Sequence, residues 1–239
     1  MANNTVVEAR DLTMRFEGVV ALDSVSLNLQ RNELRCLIGP NGAGKSTFFK
    51  CLTGMQTPTS GEIFIDGENT TGLSPHQVAR LGVGIKTQVP SVMSGLTVRE
   101  NIWLAARRTN RSRAADRIVD DTLQRLELEE ISRSEVSTLA HGQRQIVELG
   151  IVLAGEPWLV LLDEPAAGLT SDEVERMVSV IHEINKSATL IVVEHDMHFI
   201  RMIAKMVTVF HQGRVLIEED AETVLNDPVV RDVYLGKRQ

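Results

Sequence analysis

With 239 residues, 43% of them hydrophobic, 24% charged and 4% aromatic, the chain has the composition of a globular protein able to bury a substantial core. These fractions exclude disordered, collagen-like and coiled-coil classes, and a net charge of −7, from 25 Lys plus Arg against 32 Asp plus Glu, argues against a nucleic-acid coat. No stretch approaches the ~20 apolar residues that span a bilayer, Met1-Ala2-Asn3-Asn4-Thr5 lacks the order of a secretory signal, and two cysteines supply no disulfide framework, so a reducing, cytoplasmic location is expected.

In chain order, Val25, Leu27 and Leu29 alternate with Ser24, Ser26 and Asn28, which predicts a half-buried strand of an antiparallel sheet. The next run, Leu34 to Ile38, is apolar throughout apart from Arg35 and reads as a strand buried on both faces, with Arg35 near its end. A helix is predicted from Thr47 to Leu52, and Ile63 and Ile65 alternate again as a second half-buried strand. From Gln88 to Ala154 the pattern turns helical and more charged, with helices expected at Asn101 to Arg108 and Asp116 to Leu128. Buried strands resume at Trp158 to Leu162 and at Leu190 to Val193. The final predicted feature is a hairpin through His211-Gln212-Gly213-Arg214, between Val207 to Phe210 and Val215 to Ile217. The expected fold is therefore an α/β core with a parallel sheet, an N-terminal antiparallel β subdomain and an inserted helical lobe. Its core occupies 5–88 and 155–238, and its lobe about 89–154.

The chemistry concentrates at strand ends. Gly39-Pro40-Asn41-Gly42-Ala43-Gly44-Lys45-Ser46-Thr47 fits the Gly-four-Gly-Lys-Ser/Thr pattern between a strand and a helix. Glycines allow backbone N–H groups to turn inward around phosphate oxygens, and the helix start adds unpaired donors. Lys45 is expected on the terminal phosphates and the Ser46 hydroxyl on Mg²⁺. Leu159-Val160-Leu161-Leu162 ends in Asp163-Glu164, two acids that point to opposite faces if the chain stays extended. Asp163 is expected to serve the metal and Glu164 the attacking water. His195 follows the apolar run at Leu190 to Val193, at a carboxyl end where open α/β sheets bind ligands. From there a histidine can donate to the γ-phosphate, although such a residue is often only structural.

The order of these motifs resembles the ATP-binding subunits of ABC transporters. Leu139-Ala140-His141-Gly142-Gln143 is similar to that family's Leu-Ser-Gly-Gly-Gln signature, with Ala140 for serine and His141 for the first glycine. The resemblance implies ATP and Mg²⁺ as ligands and a second ATP-binding subunit, identical or paralogous, packed head to tail. It also implies that Ala140, His141, Gly142 and Gln143 act in trans on the partner's nucleotide. His141 either replaces the donor that Ala140 lacks or occupies a surface turn. Phe16 matches the position that stacks on adenine, with a buried strand phenylalanine as the alternative. Gln88 matches the glutamine that touches Mg²⁺ and the attacking water, and Thr170 stands where many members have aspartate.

Asp163-Glu164-Pro165-Ala166-Ala167-Gly168-Leu169, Val193-Glu194-His195-Asp196-Met197 and Val233-Tyr234-Leu235-Gly236 narrow the resemblance to importer subunits for branched-chain amino acids and urea. His141, the short loop after Gln88 and Val207 to Gly213 lean slightly toward the urea-type branch. Membrane permease subunits are the implied partners, contacted through a groove near Gln88. A substrate-binding protein is implied indirectly, nucleic acid is not, and the implied location is the inner face of the cell membrane. The competing classes are a soluble non-transport ABC-type ATPase and a nucleotide-sensing regulator. Arg107, Arg108, Arg111, Arg113 and Arg117 have no interleaved aromatics and are followed by Asp120 and Asp121, so they read as a solvated helix face.

Overall fold

The computed structural model describes residues 4–89, 91–108 and 110–234. The last residues of the Val233-to-Gly236 motif, and the end of the expected domain at 238, lie outside them.

Two sheets share the work of building the core. The first is antiparallel, ordered β2-β1-β4-β5, from β1 (Thr5–Phe16), β2 (Val19–Gln30), β4 (Ser60–Ile65) and the short β5 (Glu68–Asn69). Val25, Leu27 and Leu29 of β2 are buried and the residues between them are exposed or half-buried, as the alternation requires. The second sheet is ordered β10-β9-β3-β8-β7-β6. Its parallel strands are β3 (Leu34–Ile38), β6 (Val83–Lys86), β7 (Leu159–Asp163), β8 (Thr189–Val193) and β9 (Met206–His211). β10 (Arg214–Asp220) returns antiparallel to β9 through Gln212 and Gly213, both at positive φ, the backbone that a tight two-residue hairpin demands.

The uninterrupted apolar runs have a direct cause. Leu34, Cys36, Ile38, Val160, Leu162, Leu190 and Val192 join one hydrophobic core, shared with the helices, and Leu37, Leu159, Leu161, Ile191 and Val193 join a second. The second core fills the space between the two sheets around α1 (Lys45–Leu52), whose Phe48 and Phe49 are fully buried. Strands buried on both faces cannot alternate with polar residues.

Between β6 and β7 the chain forms α3 (Val98–Arg107), α4 (Ser112–Arg125), a single 3₁₀ turn at Val136–Thr138 and α5 (His141–Leu153). α3 and α4 begin three and four residues earlier than the apolar spacing predicts: α3 starts on the buried Val98 behind its Thr97 cap, and α4 starts with the polar pair Ser112-Arg113. Thr97 caps α3 by accepting from the Glu100 N–H, while Glu100 accepts from the Thr97 N–H. α1 likewise begins at Lys45, not Thr47, so the Lys45-Ser46-Thr47 triplet is its first turn. The remaining helices are α2 (Pro75–Arg80), α6 (Ser171–Asn185), α7 (Met197–Ile203), α8 (Ala221–Asn226) and α9 (Pro228–Tyr234). Among the described residues no helix is long and apolar enough to cross a membrane. Cys36 and Cys51 are free and buried, and burial pushes both thiols upward, Cys51 to about 11.

Arg35 lies near a strand end, as expected, yet it is buried there. It is the second residue of β3 and is 4% exposed. Its guanidinium meets Glu33 at 2.6 Å and Glu218 at 2.7 Å, and donates to Thr208 Oγ1 at 2.9 Å. A buried cation survives there because its fork is answered by two carboxylates and a hydroxyl.

Candidate nucleotide site

The register of the parallel sheet brings the predicted residues to one edge. Leu37 pairs with Val193, Val193 with Asp163, and Lys86 with Leu162. The carboxyl ends of β3, β6, β7 and β8 therefore open side by side, carrying the phosphate loop, Gln88, Asp163-Glu164 and His195.

At the end of β3, Gly39 has φ of +146°, and a Cβ added there would lie 2.2 Å from the Phe210 carbonyl oxygen. Only glycine fits that approach. The loop ends at Gly44, which precedes α1, so the N–H groups of Lys45, Ser46 and Thr47 lack intrahelical acceptors. Lys45 is 6% exposed and its ammonium donates to Gly39 O at 2.6 Å and Pro40 O at 3.1 Å. Desolvation lowers its pKa, opposed by the nearby charges of Glu164, Asp163 and Glu194. The loop thus solvates its own cation with two carbonyls, which phosphate oxygens can replace.

Asp163 closes β7 and is 8% exposed, and its Oδ1 is buried without a hydrogen-bond partner. Burial first, then the charge of Glu164, pushes its pKa up to about 6. In the unfolded chain this carboxyl ionises in the usual carboxylate range, while the folded chain keeps its proton longer. Raising the pH from about 4 to 6 therefore removes stability through this group, and the penalty is constant above that window. Asp163→Asn is expected to raise the melting temperature of the nucleotide-free protein at pH 7 and to have little effect at pH 4. Thermal unfolding across that range checks this.

Glu164 does not continue the strand as an extended chain would. Its φ is +49°, a left-handed backbone, fixed by donation of its N–H to Val193 O at 2.9 Å and by the Ala167 N–H donated to its own carbonyl at 3.3 Å. The turn redirects the carboxylate, so the two acids are separated by a bend and not by opposite strand faces. Glu164 Oε1 lies 3.4 Å from His195 Nδ1, and the His195 side chain is 52% exposed.

Two residues that motif reading did not single out belong to this edge. Glu194 is 1% exposed; its carboxylate accepts from the N–H groups of Ala166 at 3.1 Å, His195 at 2.9 Å and Asp196 at 3.3 Å. Burial raises its pKa, and the three N–H donors pull it back. The available signal was a carboxylate directly after an uninterrupted apolar strand. Tyr234, at the end of α9, accepts the Gly39 N–H on its hydroxyl at 2.6 Å. Its sequence position, far from the loop, gave no signal for that contact.

Other predicted residues lie apart. Gln88 is exposed, two residues past the carboxyl end of β6. Phe16 ends β1 at 40% exposure, which removes the alternative of a buried strand phenylalanine. Ala140 and His141 are exposed, Gly142 is buried and Gln143 half-buried, at the start of α5. Gln143 accepts the Ala140 N–H at 3.1 Å, but Ala140 has no oxygen to return the other half of a capping box. His141 Nε2 donates to Ala167 O at 3.1 Å, and the Gly142 N–H donates to Glu173 Oε1 at 3.1 Å. Both contacts run to the segment after Glu164, and none of the described hydrogen bonds joins these residues to Lys45 or Ser46.

A phosphate loop between strand and helix, faced across one sheet edge by an acidic strand end and a histidine, defines an ATPase of the P-loop class. Residues 22–167, more than half of the chain, match the ABC transporter family model, and the chain belongs to that family. It is 34% identical to the high-affinity branched-chain amino acid transport ATP-binding protein BraF of Pseudomonas aeruginosa, covering 97% of this chain and 98% of that protein. It is 36% identical to LivG of Salmonella typhimurium, described in the same words, over 95% of this chain and 96% of that protein. Among solved structures, the ATP-binding cassette MJ1267 in its ADP conformation aligns with a TM-score of 0.87 at 24% identity, covering 98% of this chain and all of that one, a likeness of fold. The dimeric post-hydrolysis cassette MJ0796, bound to ADP and Pi, aligns with a TM-score of 0.79 at 26% identity, over 90% and 98% of the two chains. ATP hydrolysis by this chain is accordingly coupled to transport.

Proposed function

We propose that this chain is one of a pair of ATP-hydrolysing subunits that drive uptake of branched-chain or other hydrophobic amino acids through membrane permeases. The observation that carries the chemistry is the convergence of Lys45, Asp163, Glu164 and His195 on one sheet edge. The near-full-length likeness to BraF and LivG supports the substrate class over urea. The two ATP-binding subunits dock head to tail, so that Ala140 to Gln143 of one close over the nucleotide on Gly39 to Thr47 of the other. The dimeric form of MJ0796 supports this pairing. The permeases dock beside Gln88 on the lobe of 89–154, and a substrate-binding protein delivers cargo on the far side. The chain works at the inner face of the membrane without entering it.

In hydrolysis, the phosphate-loop N–H groups and Lys45 hold the phosphates while their fixed positive ends oppose the charge that builds on the transferring group. Glu164 orients the attacking water and takes its proton, and His195, in contact with Glu164, donates to the γ-phosphate oxygens. Gln88 reports the state of the site to the lobe. Mg²⁺ suits the residues present. Asp163 Oδ1 is an unpartnered buried acceptor, Ser46 lies in the first turn of α1, and no cluster of three or more His, Cys, Asp or Glu among the described residues forms an all-protein cage. Ser46, Asp163 and Gln88 would hold the ion, which would supply neutralisation of phosphate charge.

Phe16 stacks on the adenine ring. Phe16→Ala is expected to weaken ATP binding about tenfold, in the range of one base–aromatic stack, with affinity for inorganic triphosphate unchanged. Equilibrium titration with both ligands checks this. The transport reading is tested by reconstituting the chain with its permeases in vesicles and following labelled leucine and labelled urea. ATP-dependent accumulation of leucine supports it; accumulation of urea moves the chain to the other branch. Hydrolysis insensitive to the permeases favours a soluble ATPase.

A further inference from the structure

Three loops meet beneath the candidate site, and a single buried side chain joins two of them. Glu194 Oε1 accepts from Ala166, two residues past Glu164, while Oε2 accepts from His195 and Asp196. The donors are all backbone N–H groups, so the carboxylate holds main chain and not side chains. Main chain is what needs holding here. Glu164 sits at a φ of +49°, a conformation a glutamate keeps only when its surroundings dictate it. Its carboxylate lies 3.4 Å from His195 Nδ1, so the two catalytic groups are set against each other by the turns that carry them.

We propose that Glu194 is a positioning residue for ATP hydrolysis, a buried bracket that locks the turn bearing Glu164 to the turn bearing His195. This rests on the reading of the chain as an ATPase that uses Glu164. Glu194 is not itself a base for the attacking water. At 1% exposure, with both oxygens engaged by N–H donors, it has no face toward solvent or phosphate. Neither is it a nucleotide ligand, since no backbone group of the phosphate loop donates to it. Its expected signature is therefore a loss in the chemical step with nucleotide binding retained.

Glu194→Gln is nearly isosteric but turns one acceptor into a donor, which then faces an N–H it formerly bonded. In the full-length chain it is expected to lower kcat by about 10²-fold, the scale of an ångström-level misplacement of catalytic groups. Affinity for ATP is expected to be kept or to tighten slightly, because the donors of the phosphate loop are unaltered and the charge removed is one of three carboxylates acting on Lys45. Glu194→Ala leaves a small cavity instead of a wrong-way amide and serves if the glutamine variant does not fold. Added formate, a free carboxylate small enough for that cavity, is expected to restore part of kcat in Glu194→Ala, and chloride is not. Wild-type kcat in either folded variant overturns the proposal. So does a loss of kcat and ATP affinity in the same proportion with no recovery on formate, the pattern of general structural damage. Absence of hydrolysis in the wild-type protein instead overturns the ATPase reading beneath it.

Discussion

Glu164→Gln is expected to lower multiple-turnover phosphate release by about 10²- to 10⁴-fold, the usual contribution of a positioned general base. The amide keeps the size of the side chain and can remain beside His195, but it cannot take a proton from water. ATP binding should survive, because Lys45 and the loop N–H groups are unaltered. It should even tighten, since a carboxylate facing the γ-phosphate is removed and its charge also acts on Lys45. If two chains close around ATP, the variant should accumulate as a nucleotide-bound dimer that wild type dissolves by hydrolysis. Phosphate-release kinetics and size-exclusion chromatography with ATP measure the two halves separately. Undiminished turnover would remove Glu164 from the mechanism, and a monomeric variant at saturating ATP would remove head-to-tail closure.

Lys86→Met is expected to destabilise the fold by about 3–5 kcal/mol. Lys86 Nζ and Glu148 Oε2 lie 3.2 Å apart, and each side chain is only 3% exposed. Removing one partner strands the other charge in a dry interior, which costs far more than the pair is worth. Lys86→Met combined with Glu148→Leu should recover most of the loss, because the apolar pair needs no desolvation. Truncating Arg10, whose bridge to Glu8 lies at the surface and is screened by solvent, should cost far less by comparison. Urea unfolding with an unchanged denaturant slope reads all three variants. The location gives the pair a second interest. Lys86 ends β6, two residues before Gln88, and Glu148 lies in the helix that begins with His141, so one ion pair joins the glutamine turn to the signature helix.

Much of this was legible in the sequence because the physics was local. The buried strands announced themselves by unbroken apolar runs, and the phosphate loop by glycines whose spacing leaves few conformations open. Helix starts were misplaced by a few residues because a cap at Thr97, a glycine turn at Gly44 and a polar opening at Ser112-Arg113 lie outside the apolar spacing. The opposite-face reading of Asp163 and Glu164 held only for an extended chain, and the left-handed turn at Glu164 that breaks that condition leaves no mark in residue type. Glu194 and Tyr234 stood inside sequence motifs without a role of their own, for a different reason. Each acts through a backbone N–H that a distant segment brings to it, and backbone partners carry no signature of their own. Lys86 and Glu148, separated by most of the lobe, likewise pair only once the chain has folded.

The Tyr234–Gly39 hydrogen bond has a practical side for anyone labelling this protein. Tyr234 itself is one hydrogen bond from the first glycine of the phosphate loop. A fluorinated tyrosine at that position would therefore report on the loop when nucleotide arrives, without a bulky label in the site. A handle placed ahead of Thr5 begins instead on the antiparallel sheet, at the opposite terminus from that tyrosine.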